Sequence, residues 1–238
     1  METPIPLIVN DRFAIGKRPD PRPGGMGDVY KVTDLHTHET VALKILKEDR
    51  MPEIATESWS REVRSLQKLE GCENIVGIID VGRCRETGRK YIALEWIEHT
   101  LSSFMGDDDY DWDKYYRIIG RPILNGLVFA FKNGIYHRDI KPDNILVSDH
   151  EIVKVVDFGI AQFAEHFGSQ RTLVLRGTEP YAPPWMNYKG YQQKRDVYSF
   201  AVLSLCIVNP ELVPNSDLDV QKEILGLKAP VPVCDYLA

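Results

Sequence analysis

The chain has 238 residues, 29 of them basic and 35 acidic, for a formal charge of −6. Its length fits one large domain or two small lobes, and folding at this size buries roughly 70–75% of the unfolded surface, so no disulfide is needed to hold a core. A composition 43% apolar and 27% charged excludes collagen, coiled coil and disorder, and the mild acidity argues against nucleic acid as a partner, which calls for a basic face.

Residues 12–15, 28–32, 40–45, 76–81 and 91–96 are alternating or β-branched runs bounded by turn formers, and predict five strands. Between the first and second, Arg18-Pro19-Asp20-Pro21-Arg22-Pro23 is a stiff, irregular interruption. Between the third and fourth, residues 58–70 place Trp59, Val63, Leu66 and Leu69 at helical spacing. From Leu101 the period lengthens. Over residues 115–133, Tyr116, Ile119, Ile123, Leu127, Ala130 and Phe131 share a helical face, and Asn133-Gly134 supplies the stop. Pro122 inside that pattern either kinks the helix or marks its true start. Asp107, Asp108, Asp109, Asp111 and Asp113 lack the glycine and closing glutamate of a calcium loop, and read as a helix N-terminus with Asp113 near the cap. His36 and His38 fall in a turn, as exposed imidazoles.

Cys72, Cys84, Cys206 and Cys234 show no Cys-x-x-Cys pair or zinc spacing, and read as reduced thiols in a reducing compartment. Residues 1–10 have no basic stretch ahead of their apolar run, so no signal peptide is expected. The longest apolar stretch, residues 201–208, is far short of the ~20 residues that span a bilayer. A cytoplasmic chain without a membrane span is the expectation.

Three groups of residues carry chemistry. Gly24-Gly25-Met26-Gly27-Asp28-Val29-Tyr30 joins two predicted strands; its glycines let backbone amides approach phosphate oxygens, although a glycine-rich hairpin turn has the same composition. Val41-Ala42-Leu43-Lys44 sets a lysine in an apolar strand, where a buried ammonium needs an anion, and Glu62 on the predicted helix is the obvious partner. Tyr136-His137-Arg138-Asp139-Ile140-Lys141-Pro142-Asp143-Asn144-Ile145-Leu146-Val147 is the strongest signal. Its Asp139, Lys141 and Asn144 supply a proton acceptor for a hydroxyl, a positive charge for a migrating phosphoryl group and an oxygen ligand for magnesium. Asp157-Phe158-Gly159 then adds a second metal-binding carboxylate after the β-branched residues 152–156.

With these motifs in this order the chain resembles a eukaryotic-type protein kinase of the Ser/Thr branch also common in bacteria, from about Arg12 to Val208. The resemblance implies an α+β, bilobal protein-kinase-like fold: a tail over residues 1–11, a five-stranded antiparallel N-lobe with one helix over residues 12–96, and a shortened helical C-lobe over residues 97–238. It implies ATP and Mg2+. Gly24, Gly25, Gly27 and Val29 would form the phosphate loop, and Lys44, paired with Glu62, would hold the α- and β-phosphates. Asp139 would be the catalytic base, Lys141 the contact to the γ-phosphate, and Asn144 and Asp157 the metal ligands. Glu95, Trp96 and Ile97 would be the adenine-binding hinge with Leu94 as gatekeeper, and Ala42 and Leu146 would sandwich the ring. His137, Phe158, Leu66 and Ile78 match the stack that links the lobes, and Asp196 matches the anchor of the catalytic loop. The activation segment, residues 157–185, contains Ser169, Thr172 and Thr178. Ser169 or Thr172 is expected to be autophosphorylated, with Arg138 as the partner of the added phosphate, and Thr178 to pack beside Asp139 and Lys141.

Three departures stand out. In G-x-G-x-x-G-x-V the second and third glycines are Gly24 and Gly27, and the first position falls on Arg22; alternatively Gly16 is the first glycine and residues 18–23 are inserted. Ala-Pro-Glu is replaced by Pro183-Pro184-Trp185. About 30 residues follow the Asp196 helix, fewer than the remaining family helices need at about 1.5 Å per residue. The expected function is transfer of the γ-phosphoryl group of Mg-ATP to a Ser/Thr hydroxyl of a protein substrate. A pseudokinase scaffold is the alternative, and a small-molecule phosphotransferase a third. Leu203, Leu205, Ile207, Leu212 and Val213 are expected to need cover from residues 218–237, a further domain or a second copy.

Overall fold

The computed structural model describes residues 5–17, 19–24, 27–47, 52–103, 105, 111–158, 180–183, 192–209, 211–212, 219–220 and 222–223. Gly25, Gly159, Ser169, Thr172, Thr178, Pro184, Trp185, Val213, Cys234 and most of residues 218–237 lie outside the described residues, with the expectations attached to them. The chain divides into two compact units, Met1–Gly71 with Val76–Ile97, and Cys72–Ile75 with Glu98–Ala238.

The first unit is an antiparallel sheet. The five expected strands are present as β2 (Phe13–Ala14), β4 (Gly27–Asp34), β5 (Thr40–Leu46), β6 (Ile78–Arg83) and β7 (Lys90–Glu95), joined by two two-residue strands, β1 (Ile8–Val9) and β3 (Arg22–Pro23). The order is β1-β2-β4-β5-β7-β6, with β3 also on β4. The turn from β1 to β2 is closed by Arg12 N–H donating to Val9 O at 3.1 Å. Asn10 and Asp11 take φ of 53° and 58° there, the left-handed pair that such a hairpin turn requires and that Asn and Asp tolerate best. The hairpin delivers Val9 and Phe13, both fully buried, into a core with Val32, Val41, Leu43, Ile45 and Tyr91. Phe13 meets the Tyr91 ring edge-on at 5.6 Å.

Helix α1 (Pro52–Lys68) begins six residues ahead of the expected start, because a proline is well placed in a first helical turn, where its missing N–H is no loss. Val63, Leu66 and Leu69 bury as the spacing predicts. Trp59 Nε1 donates to Tyr91 O, and Lys90 Nζ donates to Thr56 Oγ1 at 2.7 Å.

Asp34 is fully buried and accepts from Arg12 Nη2 at 2.7 Å and Nε at 3.1 and 3.0 Å. These bonds hold its carboxyl below the usual carboxylate range against the opposing pull of burial. A lowered folded-state pKa contributes stability above the unfolded value, about 3.9, which is lost as pH falls through the folded value. Arg12→Ala is therefore expected to melt well below the native chain at pH 7 and to lose most of that deficit below about pH 4; paired thermal melts across that range check it.

In the second unit, β8 (His99–Thr100), β9 (Ile145–Val147) and β10 (Val153–Val155) form a three-stranded antiparallel sheet in the order β10-β9-β8. Helix α2 (Trp112–Tyr115) is capped by Asp111, which accepts from Lys114 N at 2.7 Å. The cap thus falls two residues before Asp113, which lies in the first turn. A π-helical turn, Tyr116–Gly120, leads into α3 (Arg121–Lys132). Pro122 marks the start of α3, where its missing N–H is no loss. The wider π turn also shifts the helical phase. Ile119, Ile123 and Ala130 bury as expected, but Tyr115 takes the interior position in place of Tyr116, and Phe131 stays exposed. At the far end Gly134 is left-handed, with φ of 71°, the usual helix stop.

Helix α4 (Gln192–Val208) is apolar on most sides. Its Ser204 Oγ and the buried Tyr115 hydroxyl lie 2.7 Å apart. Leu203, Leu205 and Ile207 are buried; the exposed large apolar side chains among the described residues of this unit are Tyr116, Val128, Phe131, Ile152 and Val197. No helix among the described residues is long and apolar enough to cross a membrane.

Candidate active site

In the first unit, β4 and β5 set Val29 opposite Lys44, and α1 brings Glu62 over the same strand. Lys44 Nζ donates to both Glu62 oxygens at 2.7 and 2.8 Å, and Glu62 is 4% exposed. This is the ion pair the apolar surroundings of Lys44 demanded, since an ammonium there is stable only beside a carboxylate. Gly24 and Gly27 are glycines for want of space. A Cβ on Gly27 would lie 2.6 Å from Ile45 O, and one on Gly24 would lie 2.6 Å from Gly27 O. The ladder pairs Arg22 with Val29 and Pro23 with Asp28. Counting back from Val29 in G-x-G-x-x-G-x-V therefore puts Arg22 in the first position, while Gly16 lies off the ladder. Ala42 pairs with Leu94, both nearly buried. Glu95 accepts from Gly77 N at 2.6 Å, and Ile97 is buried.

In the second unit the segment between α3 and β9 is a dense polar loop. Asp139 is 5% exposed; Asn144 Nδ2 donates to its backbone O at 2.8 Å and to Oδ2 at 3.1 Å. Lys141 Nζ lies 3.0 Å from that same Oδ2. Asn144 is set by a 3-10 turn, Pro142–Asn144, and its carbonyl accepts from Val156 N at 3.0 Å, which fixes Asp157 at the next position. His137 Nε2 lies 2.7 Å from Val156 O while its Nδ1 accepts from Asp139 N at 3.3 Å, the pattern of the Nε2–H tautomer. The His137 ring meets Phe158 edge-on at 4.7 Å. Leu146 is half-buried on β9.

Asp196 of α4 anchors this loop from beneath. Its Oδ2 accepts from His137 N at 2.8 Å and its Oδ1 from Arg138 N at 2.6 Å. Burial pushes the carboxyl pKa up, opposed by His137 and by these two donors. Arg138 and Asp157 have φ of 65° and 66°, a left-handed conformation that costs a non-glycine residue about 1–2 kcal/mol and persists only where the surroundings enforce it. Residue spacing gives no signal for this strain.

Magnesium bound with a nucleotide takes one or two carboxylates plus phosphate oxygens and water. Asp157 and Asn144 fit that demand: both contacts of the Asn144 amide nitrogen go to Asp139, which leaves its oxygen for a cation. No group of three acidic, His or Cys side chains among the described residues is placed to hold a metal ion by itself, and this chemistry requires none.

The protein kinase domain family matches residues 23–229, so the chain belongs to the protein kinase family, in its eukaryotic-type Ser/Thr branch. It is 32% identical over 200 residues to a probable serine/threonine-protein kinase of Clostridium perfringens, covering 83% of this chain and 29% of that protein. A probable serine/threonine-protein kinase of Lactococcus lactis is 29% identical over 233 residues, 96% of this chain and 36% of its own length. A CBL-interacting serine/threonine-protein kinase of Arabidopsis thaliana is 27% identical over 206 residues, 83% of this chain and 43% of its own. The chain thus spans between 29% and 43% of the length of these relatives.

Proposed function

We propose that the chain, with residues 12–96 and 97–238 as its two lobes, transfers the γ-phosphoryl group of Mg-ATP to a Ser or Thr hydroxyl of a protein in the cytoplasm. The observation that carries this is the loop in which Asp139 is buried, hydrogen-bonded by Asn144 and 3.0 Å from Lys141. Asp139 accepts the proton of the attacking hydroxyl. Lys141 carries positive charge toward the migrating group, and Lys44, oriented by Glu62, takes the α- and β-phosphates. Gly24, Gly25, Gly27 and Val29 line the phosphates; Ala42, Leu146, Glu95 and Ile97 receive the adenine. Asn144 and Asp157 would hold Mg2+, which supplies charge neutralisation on the phosphate oxygens when bound. Catalysis of this kind is mostly positioning and electrostatic stabilisation, consistent with a loop whose polar groups are so closely tied to one another.

Ser169 and Thr172 are the acceptors we assign to autophosphorylation. Incubation with Mg-ATP is expected to add one or more phosphates by intact mass, and peptide mapping to place them at Ser169 or Thr172. A chain that binds Mg-ATP yet transfers no phosphate to itself or to a generic protein substrate would be a scaffold, and the enzymatic assignment would fall.

A further inference from the structure

Arg22, Lys31 and Trp96 lie in one unit and meet in a contact that the proposed chemistry does not use. The Arg22 guanidinium lies 4.6 Å from the Trp96 ring centroid, and Lys31 Nζ 4.9 Å from the same centroid. Arg22 and Lys31 are exposed and Trp96 is half-buried. Both distances are within the range in which a cation is attracted to the face of an indole.

The position of each residue gives the contact its meaning. Arg22 occupies the first-glycine position of the phosphate loop, two residues before Gly24, where the family pattern has no side chain. The ladder that carries it is interrupted: between the pairs Ala14–Thr33 and Arg22–Val29, residues 15–21 stand against only residues 30–32. The strand entering the loop is therefore a two-residue piece, β3, with little pairing of its own. Trp96 sits between Glu95 and Ile97, and Lys31 is two residues beyond Val29 on β4.

We infer that Arg22 and Lys31 clasp Trp96 to hold the phosphate loop at a set distance from the adenine segment, which makes Arg22 a positioning residue for ATP. The inference rests on the nucleotide roles proposed above for residues 24–29 and 95–97. A loop entered through a short, interrupted strand must otherwise be ordered by the nucleotide at an entropic cost, and a contact that orders it beforehand improves affinity by removing that cost. The clasp bears on ligands that engage both ends of the seat, and hardly at all on adenosine, which lacks the phosphates.

Titration of the full chain with Mg-ATP and with adenosine, alongside steady-state kinetics, tests this. Arg22→Gly, which restores the family residue, is expected to raise KM and Kd for Mg-ATP by about two- to fivefold, the range of one exposed cation–π contact, with kcat and adenosine affinity unchanged. Arg22→Lys should recover most of the loss. Trp96→Ala should weaken Mg-ATP at least as much, and the double variant should be no weaker than Trp96→Ala alone. Unchanged Mg-ATP affinity in Arg22→Gly overturns the clasp. So do additive losses in the double variant, which would mean that Arg22 meets the phosphates directly. A native chain that binds neither Mg-ATP nor adenosine overturns the nucleotide reading, and the clasp with it.

Discussion

Replacing Asp139 by Ala or Asn is expected to slow phosphoryl transfer by about 10²–10⁴-fold, the usual contribution of a positioned general base. The two variants separate basicity from architecture. Asp139 also receives Asn144 Nδ2 and lies against Lys141, so alanine removes an acceptor from both neighbours. Asparagine keeps an oxygen for Asn144 and removes only the charge and the basic lone pair. Equal losses of kcat and kcat/KM in both, with KM for ATP unmoved, are the signature of an interaction made in the transition state alone. Full activity in Asp139→Asn would show that this carboxylate takes no proton, and the mechanism would need another acceptor.

The residues that make this prediction possible were legible because their chemistry has few other uses at such spacing. A lysine within the apolar strand β5 requires an anion, and the structure supplies Glu62 at 2.7 Å. A carboxylate, a lysine and an amide packed into one loop point to a phosphoryl group and a cation. Strand β4, whose second half alternates buried and exposed, and β5, a nearly continuous apolar run buried along most of its length, were legible because such patterns have few other uses than a sheet core. What escaped the sequence has local physical causes. Two-residue strands such as β1 and β3 are too short to show a period. The π turn before α3 depends on how Gly120 lies against the Tyr115 ring and on the N–H that Pro122 lacks. The helix cap fell on Asp111 rather than Asp113, because several aspartates in a row offer near-equivalent caps and only the backbone path selects among them. The Arg22 contact with Trp96 joins residues far apart in sequence, and nothing in either local pattern marks it.

Asp196→Ala is expected to abolish transfer although Asp196 touches neither of the reacting groups. Its two oxygens take the N–H groups of His137 and Arg138, and removing them strands two buried donors at about 1–3 kcal/mol each. The same bonds hold Arg138 in its left-handed conformation, so their loss lets the backbone relax toward φ below zero and swings Asp139 out of register with Asn144 and Lys141. Asp196→Asn should be nearly as damaging. Its amide offers one oxygen and one NH2 group, so one of the two backbone donors would face another donor. The expected result is a lower melting temperature in both variants, with transfer lost at temperatures where circular dichroism still reports a folded chain. Asp139→Asn, by contrast, should lose transfer while melting close to the native chain. An Asp196→Ala protein with native activity would mean that the loop holds its shape without the anchor, and that the strain at Arg138 is supported from elsewhere.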